Sequence, residues 1–176
     1  MTLRRPLLAF LLTVGFALVA DQASKAMVRS ALPAQDSTLL VPGVLYFTHV
    51  RNAGAAFGML PGQRIAFMSV SVIVLLVIAV YFVRQRPQVA LVVFGLGLIA
   101  AGAAGNLIDR ATAGFVTDFL EFAFIDFPVF NIADSSIVIG AGLLIAWLLF
   151  APAKQIETTT PEGVSASSEL PVDSPE

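Results

Sequence analysis

Long apolar runs limit what this chain can fold into more than any other feature. Residues 6–20, 65–83, 89–108 and 135–151 carry no charged side chain up to the end of the third run's Ile108 and through the whole of the fourth. Crossing a hydrocarbon layer about 30 Å thick takes roughly 20 helical residues. Inside that layer a helix satisfies its own backbone donors and acceptors, which an open sheet cannot do. The runs therefore predict an α-helical membrane protein with four transmembrane helices. Composition agrees: 57% of the residues are hydrophobic and 12% charged, where a soluble domain carries about 25% charged residues.

Arg4 and Arg5 precede the first run, as in a signal peptide. Leu18 is bulky where a cleavage site wants a small residue, and helix-compatible sequence continues to Met27, so an uncleaved span over about 6–28 is expected. Asp21 and Lys25 then lie at i,i+4 on one face, in the favourable acid-first order. Residues 30–62 change character. Pro33, Pro42, Gly43, Gly54, Gly58, Pro61 and Gly62 break any long helix, and short strands are expected at 38–41 and 44–50. This region predicts a small extracytoplasmic β-sheet. Spans at about 65–83, 89–108 and 135–151 complete a four-helix membrane domain over 1–151. In the third, Gly97, Ala101 and Gly105 recur every fourth residue and should let a neighbouring helix approach. Residues 152–176 are rich in Pro, Ser, Thr and Glu and predict a disordered cytoplasmic tail.

Four spans put both termini on one side. The end of span one, the start of span two, the end of span three and the start of span four share the other. Asp21, Lys25, Arg64, Asn106, Asp109, Arg110 and Asp134 all converge there. Lys and Arg are equally numerous on the two sides. The short turn holding Arg84 and Arg86, and Arg4 and Arg5 beside span one, favour cytoplasmic termini.

Ionisable groups at membrane depth are functional candidates, since an Asp at a helix centre costs about 2.5–3.5 kcal/mol to insert. Two carboxylates brought together in a low-dielectric site cannot both ionise. They share a proton, and the pair can serve as base and acid toward a water and a carbonyl. Asp118 and Asp134 suit that role. Position alone equally allows Asp134 to be a helix N-cap and Asp118 a solvated loop carboxylate. Asp109 and Arg110 read as an interfacial ion pair, Asn106 and Asn131 as groups that hold backbone, Glu121 and Asp126 as loop residues, and His49 as a surface residue of the sheet. With no Cys and one His, the usual zinc constellations are missing, and neither metal nor cofactor is expected.

Several pieces together carry a resemblance. They are Asp21-Gln22-Ala23-Ser24-Lys25, Asn52-Ala53-Gly54-Ala55-Ala56-Phe57-Gly58, Gly105-Asn106-Leu107-Ile108-Asp109-Arg110, Val116-Thr117-Asp118-Phe119 and Phe130-Asn131-Ile132-Ala133-Asp134-Ser135. In this order and spacing the chain resembles the lipoprotein signal peptidase family, the bacterial type II signal peptidases, which are membrane aspartic proteases. The resemblance covers about residues 8–150. It implies cleavage of diacylglyceryl-modified prolipoproteins on the N-terminal side of the lipidated Cys, with Asp118 and Asp134 as the catalytic dyad. It further implies that Asn52, Gly54, Asn106, Arg110, Asn131 and Ala133 line or shape the site, with Asp21, Lys25 and Asp109 in support. The sheet and the 52–58 loop would cradle the lipidated substrate. The implied setting is the bacterial cytoplasmic (inner) membrane, with the site at the periplasmic or outer face. The implied partners are lipids and prolipoproteins, with no nucleic acid and a monomeric enzyme. Three other readings use the same residues: a carboxylate-based proton- or ion-coupled carrier, a Ser–Lys protease using Ser24, Ser135 or Ser136 with Lys25, and a non-catalytic packing subunit.

Overall fold

A computed structural model of the chain describes residues 4–54 and 62–151. The tail expected beyond residue 151, and the part of the Asn52-to-Gly58 loop that follows Gly54, lie outside the described residues. Helix α1 spans Arg4–Ala31, strand β1 Ser37–Val41, strand β2 Leu45–Asn52, helix α2 Arg64–Gln85, helix α3 Ala90–Thr112, strand β3 Val116–Phe122 and helix α4 Ile132–Phe150. All four helices are long and apolar enough to cross a membrane. The 28 residues of α1 rise about 42 Å. That exceeds the oil layer and carries Asp21, Lys25 and Arg29 to its edge.

Helix α3 is the centre of the bundle and is buried along most of its length. Its small residues make this possible. A Cβ on Gly97 would stand 3.0 Å from the Thr13 side chain of α1, and one on Gly95 would stand 2.9 Å from the Gly140 carbonyl of α4. Gly105 carries the same packing into the polar end, where a Cβ would stand 2.5 Å from Asp21 Oδ2. The recurring small residues are thus a packing device that also makes room for a functional carboxylate. At the opposite end, Ile78 and Phe82 of α2 pack on Val92, Val93, Leu96 and Ala100 of α3.

The three strands form one antiparallel sheet in the order β1-β2-β3. The third strand is an addition to the expected pair. Val116 to Phe119 are buried in succession, so no alternation of apolar and polar residues marks the segment as a strand. Gly114, at φ +86°, turns the chain from α3 into it. Glu121 is a strand residue, not a loop one, and accepts a hydrogen bond from Thr48 Oγ1.

His49 is also corrected. The β2–β3 register shifts between Phe47 and Val50, and the resulting bulge re-aims the backbone. His49 is 2% exposed and its Nδ1 donates to the Leu32 carbonyl at 2.8 Å. It ties the sheet to the end of α1 and is not a surface residue.

Candidate active site

Polar residues from the facing ends of α1, α3 and α4 meet those of β2 and β3 in one place. Asn131 is the N-cap of α4: its Oδ1 accepts from Asp134 N–H at 2.9 Å, while Asp134 Oδ2 accepts from Asn131 N–H at 3.2 Å. This reciprocal capping box starts α4. Asp134 is therefore not the cap itself but the third residue of the first turn, with Oδ1 left to face inward. Asp118 arrives from β3, where Val50 and Arg51 of β2 pair with Asp118 and Thr117. It is 2% exposed, which excludes a solvated loop carboxylate.

Three asparagine amides donate to the two acids, and two of them connect the pair. Asn131 Nδ2 donates to Asp118 Oδ1 at 2.7 Å and to Asn106 Oδ1 at 3.3 Å. Asn106 Nδ2 donates to Asp134 Oδ1 at 2.8 Å. Asn52 Nδ2 donates to Asp118 Oδ2 at 2.9 Å, and its Oδ1 accepts from Gly54 N–H at 2.9 Å. Asn106 and Asn131 thus bind side-chain carboxylates rather than merely holding backbone. Burial pushes the Asp118 carboxyl up from 3.8 to about 7, with the Asp134 charge adding to the rise and the Asn52 and Asn131 amides opposing it.

Behind the acids lies a buried charge cluster. Lys25 is fully buried, and its Nζ lies 2.9 Å from Asp21 Oδ2, 3.3 Å from Asp109 Oδ2 and 3.0 Å from Asn106 Oδ1. Asp21 Oδ1 also accepts from Ala133 N–H at 2.9 Å, tying α1 to the start of α4. Asp109 Oδ2 accepts from Thr117 N–H at 3.0 Å, and so holds the strand residue next to Asp118. The expected Asp109–Arg110 pair gives way to a different arrangement. Asp109 faces Lys25 and Arg29, whereas Arg110 donates to the Gly54 carbonyl at 3.1 Å and sits 4.9 Å from the centre of the Phe67 ring.

Three participants have no role assigned from the sequence. Arg29 donates to Thr117 Oγ1 at 3.1 Å, Thr117 is fully buried, and Gln22 donates to Asp21 and to the Gly105 carbonyl. The usable signal for Arg29 was helical spacing, since it continues the Asp21–Lys25 face by one more turn.

Asn52, Gly54, Asn106, Arg110, Asp118 and Asp134 line the polar end of a cavity of about 590 Å³. Its other wall is apolar, from Phe122, Phe127, Phe130, Ile137 and Val138. A peptide bond can sit among the carboxylates while long hydrocarbon lies along the apolar wall. The serine arrangement is absent from this geometry. Ser24, Ser135 and Ser136 each donate to a carbonyl of their own helix, and Lys25 has its three hydrogens taken.

Fold and cavity together define a four-helix membrane protein with a carboxylate-lined cavity at one end of the bundle. The signal peptidase (SPase) II family matches residues 13–150. The lipoprotein signal peptidase of Pelotomaculum thermopropionicum is 43% identical over 136 residues, which is 77% of this chain and 88% of the relative. That of Halothermothrix orenii is 42% identical, over 78% of this chain and 92% of its own length. Among solved structures, a bacterial membrane enzyme obtained by the in meso method superposes with a TM-score of 0.78 at 34% identity, covering 86% of this chain and 94% of that one. A second of the same description gives 0.75 at 35% identity, over 81% and 94%. The chain belongs to the signal peptidase II family of membrane peptidases.

Proposed function

We propose that this protein cleaves the signal peptide of prolipoproteins on the N-terminal side of a diacylglyceryl-modified Cys, with Asp118 and Asp134 as an aspartic dyad. The observation that carries the reading is the joining of two carboxylates on one cavity through the amides of Asn106 and Asn131. In the first step the ionised carboxylate takes a proton from a water as its oxygen bonds to the scissile carbonyl carbon. The protonated carboxyl gives its proton to the carbonyl oxygen. In the second step the C–N bond breaks, and the nitrogen of the lipidated Cys leaves as an amine after accepting a proton from the dyad. Arg110, Asn52 and Gly54 line the polar end and suit the substrate backbone, while the apolar wall suits its hydrocarbon.

In this reading the enzyme is a monomer in the bacterial inner membrane. Its termini are cytoplasmic and its site faces the periplasm or the outer surface. There a lipidated signal helix arrives sideways from the bilayer and water is still at hand. The carrier alternative lacks support from the bundle, because residues 65–83 and 89–105 contain no ionisable side chain except Tyr81 to continue a path through it. The test is incubation of purified enzyme with a prolipoprotein, with and without its diacylglyceryl group. Cleavage of the lipidated form alone, lost in both Asp→Asn variants, is expected. Full activity in either variant ends the dyad assignment.

A further inference from the structure

We propose that Lys25 is a positioning residue that holds the Asn106 amide with its N–H groups toward Asp134. This rests on the dyad reading and adds to it how the polarity around the acids is set. An asparagine amide presents an acceptor at one corner and donors at the other, and it can sit either way round. Each of the three asparagines here has its oxygen turned to a group that can only donate. For Asn52 that group is Gly54 N–H, for Asn131 it is Asp134 N–H, and for Asn106 it is Lys25 Nζ. The nitrogens then have one place left to point, toward the carboxylates. The groups that pin Asn52 and Asn131 are backbone. Asn106 has two side-chain donors on its oxygen, Lys25 Nζ at 3.0 Å and Asn131 Nδ2 at 3.3 Å, and Lys25 is the one of them that does not itself bind a dyad carboxylate.

An ammonium has three hydrogens and no acceptor. Those of Lys25 go to Asp21, Asp109 and Asn106. The two aspartates keep it charged and in place, and the third contact reaches the reaction centre. Without the ammonium, the longer contact from Asn131 Nδ2 at 3.3 Å is what remains on the Asn106 oxygen, and the amide turns its oxygen toward Asp134 more readily. A donor would then be replaced by an acceptor beside an acid that must hold negative charge. Lys25 touches neither carboxylate of the dyad within hydrogen-bond distance; its charge acts on both across space, and its contact with the reaction centre is made through Asn106. The charged groups around the acids are Asp21, Lys25 and Arg29 from α1 and Asp109 and Arg110 from α3. Of these, Lys25 is bonded to an amide of the dyad.

The experiment uses the full chain in lipid nanodiscs and follows kcat and KM on a diacylglyceryl-modified prolipoprotein. Asn106→Asp keeps the shape and the Lys25 contact, but Lys25 holds the new carboxylate ionised and no proton faces Asp134. A fall in kcat of about 100-fold is expected, as when one donor to a charged reaction centre is removed, with KM within about threefold. On an Asn106→Ala background, Lys25→Met should lower kcat by less than about threefold more, because the two residues act in series. Undiminished kcat in Asn106→Asp, or losses in Lys25→Met and Asn106→Ala that multiply, would overturn the proposal. Should Lys25→Met not fold, Asn106→Asp decides alone. Asp134→Asn is run beside them. If it is active the dyad reading has failed, whereas an inactive Asp134→Asn with an active Asn106→Asp removes only the role of Lys25.

Discussion

The two ends of the bundle are held together in opposite ways. At the end near the α2–α3 turn, Ile78, Phe82, Val92, Val93 and Leu96 fit side by side with no charge among them. Lipid is as apolar as these side chains, so close fit and dispersion supply the attraction there. At the other end Asp21, Lys25, Asp109, Asn106 and Asn131 interlock by ion pairs and hydrogen bonds out of contact with solvent. Replacing such a network by apolar residues of similar volume is often neutral or stabilising. Stability alone therefore does not explain it, and geometry around Asp118 and Asp134 does.

The sharpest way to break this comparison is to alter one end and measure both rate and stability. Asp118→Asn and Asp134→Asn should each lower cleavage by at least about 1,000-fold while the protein still inserts, as followed by peptide release and by size-exclusion profile. Phe82→Ala, in the apolar end, should do the reverse. It should cost about 3–5 kcal/mol of stability by thermal or denaturant unfolding, with kcat close to that of the parent. Next comes Gly105→Ala, whose Cβ would press on Asp21 Oδ2 at 2.5 Å. The expected cost is about 1–3 kcal/mol with activity lost alongside, whereas Gly97→Ala meets the Thr13 side chain at 3.0 Å and should spare activity.

A further effect is on the pH dependence of stability. The folded-state pKa of Asp118 is raised from 3.8 to about 7. The folded form therefore keeps its proton over a range where the unfolded chain has lost it. The contribution of this group is full below pH 3.8 and declines as pH rises through about 7. Asp118→Asn should remove that decline, so its melting temperature should gain on the parent between pH 4.5 and 8. An unchanged difference across that range would show that burial of Asp118 carries no such cost.

Much of the fold was legible because helices in a bilayer advertise themselves by length and lack of charge. The convergence of Asp21, Lys25, Asn106, Asp109, Arg110 and Asp134 on one face followed from counting spans. Residues whose neighbours are chosen by tertiary structure were not legible. The strand around Asp118 was hidden because both its faces are covered over Val116 to Phe119. His49 was misplaced because a bulge two residues after Phe47 re-aims it. Asp109 and Arg110 are adjacent in sequence, but adjacent residues on a helix point about 100° apart and find different partners. Asp134 was read as a possible cap because the cap lies three residues earlier, at Asn131.

The double duty of Asn131 has a consequence for how the protein is made. It opens α4 and also joins the two acids, and α4 leaves the ribosome after β3. A nascent chain that has reached β3 carries Asp118 and Asn106 but lacks both Asp134 and Asn131. On the proposed dyad, the segments up to β3 enter the bilayer without any power to cut their neighbours, and competence arrives with α4.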